Sequence, residues 1–318
     1  MVFEQLADAR LVAGWSSVEH AIETLFSDPR PFVDLLLETY AELDDIQRKL
    51  YLFSPQLVAR IGSGDELDSA LLFEPPRVPD HRQGLEQGLK VLLTWLVSHQ
   101  RSTEAQAWAQ LSRALLENLH ELDYLHKGAQ VSLFCVGERT SRYYLNLQPL
   151  KEKARYRILE FLGAVTLYEK ALSVLESGGL SLGGLGVEML PFGYRTKLYV
   201  RGQLSILLDQ VAKTVGSFQT PEMELLGHET AFHRAMEAEI ALERGSADAL
   251  RCKWVYFIDR PERGIAGTLS WLAQSRHRPR IESIFKLLGG PKSLFALGAE
   301  FSGEDVPQRV NVYARHVR

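Results

Sequence analysis

The sequence is poor in cysteine, in long apolar runs and in charge of one sign, and each shortage excludes a class of protein. Cys135 and Cys252 are the only cysteines in 318 residues. Two thiols in so long a chain make no disulfide framework and are expected to be buried in a reducing compartment. The longest apolar stretch, residues 91–97, is interrupted by Thr94 and falls far short of the roughly 20 residues that span a bilayer. Residues 1–11 carry acids early and no apolar segment, so no signal peptide is expected and the cytoplasm is the expected location. With 24% charged residues and a net charge of −4, no basic excess points to nucleic acid or an anionic membrane. Any anion site must come from local concentration of Arg and Lys. No low-complexity run, linker or composition break divides the chain, and 46% apolar residues suffice for a large core. A single domain over 1–318 is expected.

Helical and strand periodicities alternate along it. Ser16 and Glu19 have capping-box spacing ahead of Val18, Ala21, Ile22, Leu25 and Phe26, and a second helix is expected from about Pro29 to Leu50. Short β-favouring runs at 57–61 and 70–73 flank the turn chemistry of Gly62-Ser63-Gly64-Asp65, and Pro75 stops the second. Helices are predicted at 84–98 and 103–125, then a hairpin at 131–136 and 140–148. One long helix is predicted over 150–175, then a hairpin at 185–190 and 195–201. Helices at 204–215 and 221–235 precede a hairpin at 239–243 and 250–258. Helices at 264–274 and 280–288 precede the last, at 295–301 and 309–317.

Two of these hairpins align directly. Leu185-Gly186-Val187-Glu188-Met189 matches Leu297-Gly298-Ala299-Glu300-Phe301, and the strands that follow carry Arg195, Lys197, Tyr199 and Arg201 against Arg309, Asn311, Tyr313 and Arg315 at alternate positions. Arg195 and Arg309 are 114 positions apart, or two periods of 57. Lys253 stands within one position of the half-way point, and Arg142 and Tyr144 lie about one period earlier. Regular periods of this size signal repeated supersecondary units. A row of antiparallel hairpins removes its exposed edges by closing into a barrel. The fold expected is therefore α+β, a ten-stranded antiparallel β-barrel of five ααββ units ringed by helices.

Strand alternation then divides the residues. Thr196, Leu198 and Val200 take one face of their strand; Arg195, Lys197, Tyr199 and Arg201 take the other. Val310, Val312 and Ala314 likewise oppose Arg309, Asn311, Tyr313 and Arg315, and Tyr143, Leu145 and Leu147 oppose Arg142, Tyr144 and Asn146. The apolar face must meet the helices, so the polar face lines a lumen wider than side chains alone fill. Inward cations hold an anion such as a diphosphate, and tyrosine faces stabilise a cation beside it. Together they suit an allylic diphosphate, with Arg and Lys on the leaving group and aromatic rings around the carbocation.

Arg195-x-Lys197-x-Tyr199, with Arg142-x-Tyr144 one unit earlier, resembles the strand motifs of ABBA-fold aromatic prenyltransferases, especially the dimethylallyltryptophan synthases. The resemblance implies a ten-stranded barrel of repeated units. It assigns Arg142, Arg195, Lys197, Lys253 and Arg309 to diphosphate, and Tyr144, Tyr199 and Tyr313 to a tyrosine shield. Lys197 and Glu188 are the candidate catalytic groups; Glu188 and Glu300 either orient an acceptor N–H or O–H or pair with lumen arginines. Asn146, Arg201, Asn311 and Arg315 are further lumen positions. The expected partners are an allylic diphosphate of dimethylallyl type and a small electron-rich acceptor such as an indole, carbazole or phenol.

The first hairpin departs from that pattern. Ala70 stands where an arginine is expected, Arg60 lies on the preceding strand instead, and no equivalent is found for the glutamate that orients an indole N–H. Tyr256 follows Lys253 by three, so the two face opposite sides unless the strand bulges. The glycine-rich 178–186 precedes a strand and follows a helix, the reverse of a dinucleotide fingerprint. His228 and His233 are five apart and diverge on a helix. Asp44-Asp45 lacks the further acid of an aspartate-rich metal motif. No cofactor is required by the sequence, and Mg²⁺ accompanying the diphosphate is the one possible addition. Two other readings stand beside the enzyme: a non-enzymatic barrel for an amphipathic anionic lipid or isoprenoid phosphate, and a helical interaction protein.

Overall fold

A computed structural model describes residues 14–41, 55–73, 81–118, 132–147, 152–176, 179–190, 193–203, 205–207, 209–210, 237–244, 250–257, 261–300 and 309–317. Its strands are β1 (Gln56–Gly62), β2 (Leu67–Phe73), β3 (Ser132–Gly137), β4 (Ser141–Asn146), β5 (Ser181–Leu190), β6 (Gly193–Gln203), β7 (Glu237–Arg244), β8 (Leu250–Phe257), β9 (Leu294–Glu300) and β10 (Arg309–Arg315). Each pairs antiparallel with its chain neighbour, and β10 returns to pair with β1, so the sheet closes on itself. Closure gives every strand two partners and leaves no edge for another chain to extend.

Helices precede the strands in pairs: α1 (Trp15–Leu25) and α2 (Arg30–Ala41), α3 (His81–Ser98) and α4 (Ser102–Asn118), α5 (Glu152–Phe161) and α6 (Val165–Leu175), α7 (Pro261–Trp271) and α8 (Arg278–Leu287). The helices expected at 204–215 and 221–235 lie, apart from residues 205–207 and 209–210, outside the described residues, as do His228, His233 and Asp44-Asp45. Where one long helix was predicted there are two. Gly163, at φ 62°, takes the left-handed conformation between them, and its N–H bonds back to Glu160 while Ala164 N–H bonds to Leu159. That geometry favours glycine and ends α5. The predicted Ser16 cap is also corrected. Gly14 caps α1 without a side-chain bond, and Ser16 lies inside the helix beside His20.

The core lies between the barrel's outer face and the helices. Strand β4 shows the division: Ser141, Tyr143 and Leu145 are buried, while Arg142, Tyr144 and Asn146 are half-buried on the other side. Tyr143, Leu145, Val187, Leu198, Leu297 and Val312 from the strands join Ile22, Leu36, Trp95 and Trp108 from the helices in one continuous cluster. Trp108 stands edge-on to Phe134 and Tyr143, with ring centroids 5.7 and 5.8 Å away. Its indole N–H donates to Ser141 Oγ at 2.5 Å, and Ser141 donates in turn to Glu104. Arg101 completes this contact through Glu104 at 2.6 Å and the Gly137 carbonyl at 2.9 Å.

The seam between the two chain ends has its own fastening. Asp65, in the β1–β2 turn, accepts from Ser275 Oγ and from the Arg276 N–H at 3.2 Å, and the Asp65 carbonyl lies 3.0 Å from His277 Nε2. The last helical unit is thereby tied to the first hairpin across the closure. Trp108→Ala removes a fully buried ring and strands Ser141. Its expected cost is about 3–5 kcal/mol, read as a lower urea midpoint at unchanged slope.

Candidate active site

Cross-strand register sets the site, because directly opposed residues leave the same face of the sheet. Arg142 on β4 opposes Glu188 on β5, which opposes Arg195 on β6. The next row runs Tyr144, Gly186, Lys197. A third runs Asn146, Gly184, Tyr199, Ala241, Lys253, Glu300, Arg309 through six pairings. All five expected diphosphate ligands and two of the three tyrosines thus lie on three adjacent rows of the inner face, and Tyr313 follows two rows beyond Arg309 on β10.

Glu188 is the anchor of the first row. Arg142 donates Nε and Nη2 to its Oε1 at 2.9 and 2.6 Å, and Arg195 donates Nε to Oε2 at 3.0 Å and Nη2 to the same oxygen. Burial alone pushes this carboxyl up. The charge of Arg142, the hydrogen bond from Arg195 and the charge of Lys197 outweigh it and hold the group at about 2. Glu188 is therefore ionised at any working pH with both oxygens engaged. Of its two expected roles, the geometry realises pairing with lumen arginines; it fixes two like charges side by side.

Lys197 and Lys253 are buried, 9% and 7% exposed. Lys253 Nζ donates to Tyr313 Oη at 3.3 Å and stands 5.9 Å from that ring's centroid. The rings of Tyr144 and Tyr199 are 5.7 Å apart and tilted by 59°. Burial pushes both phenols above their ordinary range, so both stay neutral. Two glycines make room for this packing. A Cβ on Gly186 would lie 2.9 Å from Tyr199 Cε2 and 3.4 Å from Tyr144 Cε1; one on Gly298 would lie 2.9 Å from Lys253 Cε and 3.0 Å from Asn311 Nδ2. These are the matched glycines of the two aligned hairpins, and in both units the bare position lets neighbouring lumen side chains lie over the sheet.

The remaining positions separate. Asn146, Arg201 and Arg309 are half-buried, and Asn311 is wholly buried. Arg315, at the very end of β10, is exposed and stacks 4.5 Å over the Phe295 ring. The β9–β10 register skips Phe295 between Tyr313 and Ala314, while the β1–β10 pairing runs unbroken to Arg315, so Arg315 keeps the parity of Arg309, Asn311 and Tyr313. Strand β8 has no shift in either pairing, which places Tyr256 opposite Leu297 of the outer face and Val255 in the inner row.

The first hairpin supplies a different lining. Val58, Ala70, Leu72 and Cys135 form a separate apolar cluster inside, against which Leu133, Tyr144 and Tyr313 pack. Arg60, 3% exposed, is also inside. Its Nη1 donates to Asp68 Oδ2 at 2.7 Å and its Nη2 to Cys135 Sγ at 3.1 Å. The lumen thus has a cationic wall from β4 to β6, continued by Lys253 and Arg309, and an apolar wall from β1 to β3. The sequence placed Arg60 on the first strand without assigning its face, and that Cys135 lies beside it depends on long-range pairing. Among the described residues no three His, Cys, Asp or Glu side chains come together to hold a metal ion. The three inner rows carry five Arg and Lys side chains, and Glu188 among them is already engaged by Arg142 and Arg195, a donor set that does not fit Mg²⁺. No described helix is long and apolar enough to cross a membrane.

The ABBA barrel fold of this chain is shared with solved prenyltransferases. It is similar to the 6-dimethylallyltryptophan synthase of Micromonospora olivasterospora, solved with DMASPP and Trp, at 14% identity over 95% of this chain and 97% of that one, with a TM-score of 0.63. It is similar to the prenyltransferase PriB, solved with L-tryptophan and dimethylallyl thiolodiphosphate, at 12% identity over 94% and 95% of the two chains and a TM-score of 0.58. AnaPT of Neosartorya fischeri matches at 12% identity over 83% and 79%, with a TM-score of 0.56. No family model and no curated protein matches the sequence.

Glu188→Gln leaves Arg142 and Arg195 facing each other without their counter-charge and is expected to cost about 3–5 kcal/mol at neutral pH. The folded carboxyl sits at about 2 against an ordinary 4.5. Its contribution is present above about pH 4.5 and is lost as pH falls through about 2. Urea titrations at about pH 6 and about pH 3 should therefore show the gap between wild type and variant narrowing on acidification.

Proposed function

We propose that this chain is an aromatic prenyltransferase, one barrel domain over 1–318 built of five ααββ units. It transfers a dimethylallyl-type group from its diphosphate to an electron-rich aromatic ring. The observation that carries this reading is the division of the lumen. Arg142, Arg195, Lys197, Lys253 and Arg309 share its inner rows, Tyr144, Tyr199 and Tyr313 stand beside them, and an apolar wall faces the other way. The neighbours solved with an allylic thiolodiphosphate and tryptophan support the same pair of substrate classes.

The chemistry follows from the lining. The donor's C–O bond breaks heterolytically and the electron pair leaves with the diphosphate. Buried cations lower the energy of that leaving group in a setting where charge interactions are stronger than in water. The allylic cation is met by the tyrosine faces, which stabilise positive charge without offering a strong nucleophile. A ring carbon of the acceptor attacks, a C–C bond forms, and the ring proton departs to a base or water. Lys197 acts on the diphosphate; Glu188 is a positioning residue that holds Arg142 and Arg195. Charge compensation comes from side chains, with no cofactor assigned.

Incubation with dimethylallyl diphosphate and a panel of indoles and phenols should release pyrophosphate and give prenylated product; a binding barrel would release none. Lys197→Ala is expected to lower kcat/KM by about 100-fold or more, and a wild-type rate in that variant would sink the diphosphate assignment. Gly186→Ala should raise the ratio of hydrolysed donor to prenylated product, because its methyl displaces the shield rings and admits water. An unchanged ratio by chromatography would remove Tyr144 and Tyr199 from the shield.

A further inference from the structure

Four hydrogen-bonding atoms on one inner row lack partners among the described residues: Asp68 Oδ1, Arg60 Nε, and both Nδ2 and Oδ1 of Asn311. The three residues are consecutive cross-strand partners on β2, β1 and β10, at the closure of the barrel. Arg60 is 3% exposed and Asn311 0%. Buried polar atoms are paired in roughly 90% of cases or more, and leaving one unmet costs about 1–3 kcal/mol. Four on three adjacent residues concentrate unmet hydrogen-bonding capacity in one strip of the inner face.

The strip is also held in position. Arg60 Nη1 is committed to Asp68 Oδ2 at 2.7 Å and Nη2 to Cys135 Sγ at 3.1 Å, which fixes where its Nε–H points. Gly298, the next residue of the row on β9, leaves space over which the Asn311 amide and the Lys253 stem lie. The adjoining row on the same strands is Ala70, Val58 and Tyr313, so the strip borders the apolar wall on one side and Lys253 on the other. A ring lying on that wall would present its substituent to Asp68, Arg60 and Asn311.

We infer that this strip holds the polar substituent of the aromatic acceptor and selects a ring hydroxyl, an inference that rests on the prenyltransferase reading. A hydroxyl accepts from Arg60 Nε–H and donates to Asp68 Oδ1 or Asn311 Oδ1 at once. An indole N–H only donates and leaves the guanidinium unmet. A methyl ether only accepts and leaves the oxygens unmet. A carboxylate only accepts and brings a second negative charge beside Asp68. Donation of the O–H toward a carboxylate oxygen also leaves electron density on the ring, at the carbons that attack the cation. A site built to bond a hydroxyl rejects analogues lacking it far more strongly than an apolar pocket does.

The test is equilibrium binding to the full chain saturated with dimethylallyl thiolodiphosphate, with 1-naphthol, 1-methoxynaphthalene and indole as probes. 1-Naphthol is expected to bind at least about tenfold tighter than either of the others. Asn311→Leu and Arg60→Met should each reduce that preference to about threefold or less. Asn311→Leu should at the same time raise the melting temperature, since an apolar side chain of similar shape removes two unmet atoms. Equal affinities in the wild type would overturn the inference, as would a preference that survives both substitutions, or a lowered melting temperature with the preference retained in Asn311→Leu. Failure of the thiolodiphosphate to bind at all would overturn the prenyltransferase reading beneath it.

Discussion

A closed antiparallel sheet has two faces, and the pairing of β10 with β1 is what makes one of them an interior. Every other feature of the site depends on that closure. Without it the Arg, Lys and Tyr positions would lie on a solvated surface, where cations cluster cheaply and bind anions weakly. With it, they share a low-dielectric space in which a cation needs a counter-charge and an anion placed among them is held strongly. The seam is fastened accordingly, by seven register pairs between β1 and β10 and by the Asp65 contacts to Ser275, Arg276 and His277.

The cost of concentrating charge inside is met locally. Arg142 and Arg195 would repel each other one strand removed on either side of β5; Glu188 between them takes two hydrogen bonds from each. Arg60 is neutralised by Asp68 in the same manner. The two arginine–carboxylate groups lie on opposite sides of the lumen's division, one on the cationic wall and one beside the apolar wall. The difference between them is what remains unmet. Around Glu188 both oxygens are used, whereas the Asp68–Arg60–Asn311 strip keeps donors and acceptors in reserve. In the function proposed, the first arrangement presets charge for an anion and the second presets hydrogen bonds for a neutral group.

Much of this was legible in the sequence because strand alternation is a local property. Arg195, Lys197 and Tyr199 announce their face through the apolar residues between them, and the matched Gly186 and Gly298 announce the repeat. The interruption at Gly163 was not legible, since helical periodicity runs on either side of it and only the left-handed φ separates α5 from α6. That Arg315 is exposed was not legible for a related reason: alternation gives a residue's face, and not how near the open end of the barrel it stands.

The first hairpin shows what periodicity cannot carry. Its Arg60 read as a departure from a family pattern, and Ala70 as a missing cation. In the barrel both are consistent with a lumen whose two ends of the chain meet. Arg60 and Asn311 are cross-strand partners, although nearly the whole sequence lies between them. Neither residue has a local reason to be polar and buried; each is explained only by the other and by Asp68. An anion site can be read from one strand, because repeated cations are visible one at a time. The neutral hydrogen-bonding site proposed on β2, β1 and β10 could form only in the closed sheet, and the closure that creates the lumen also creates the strip.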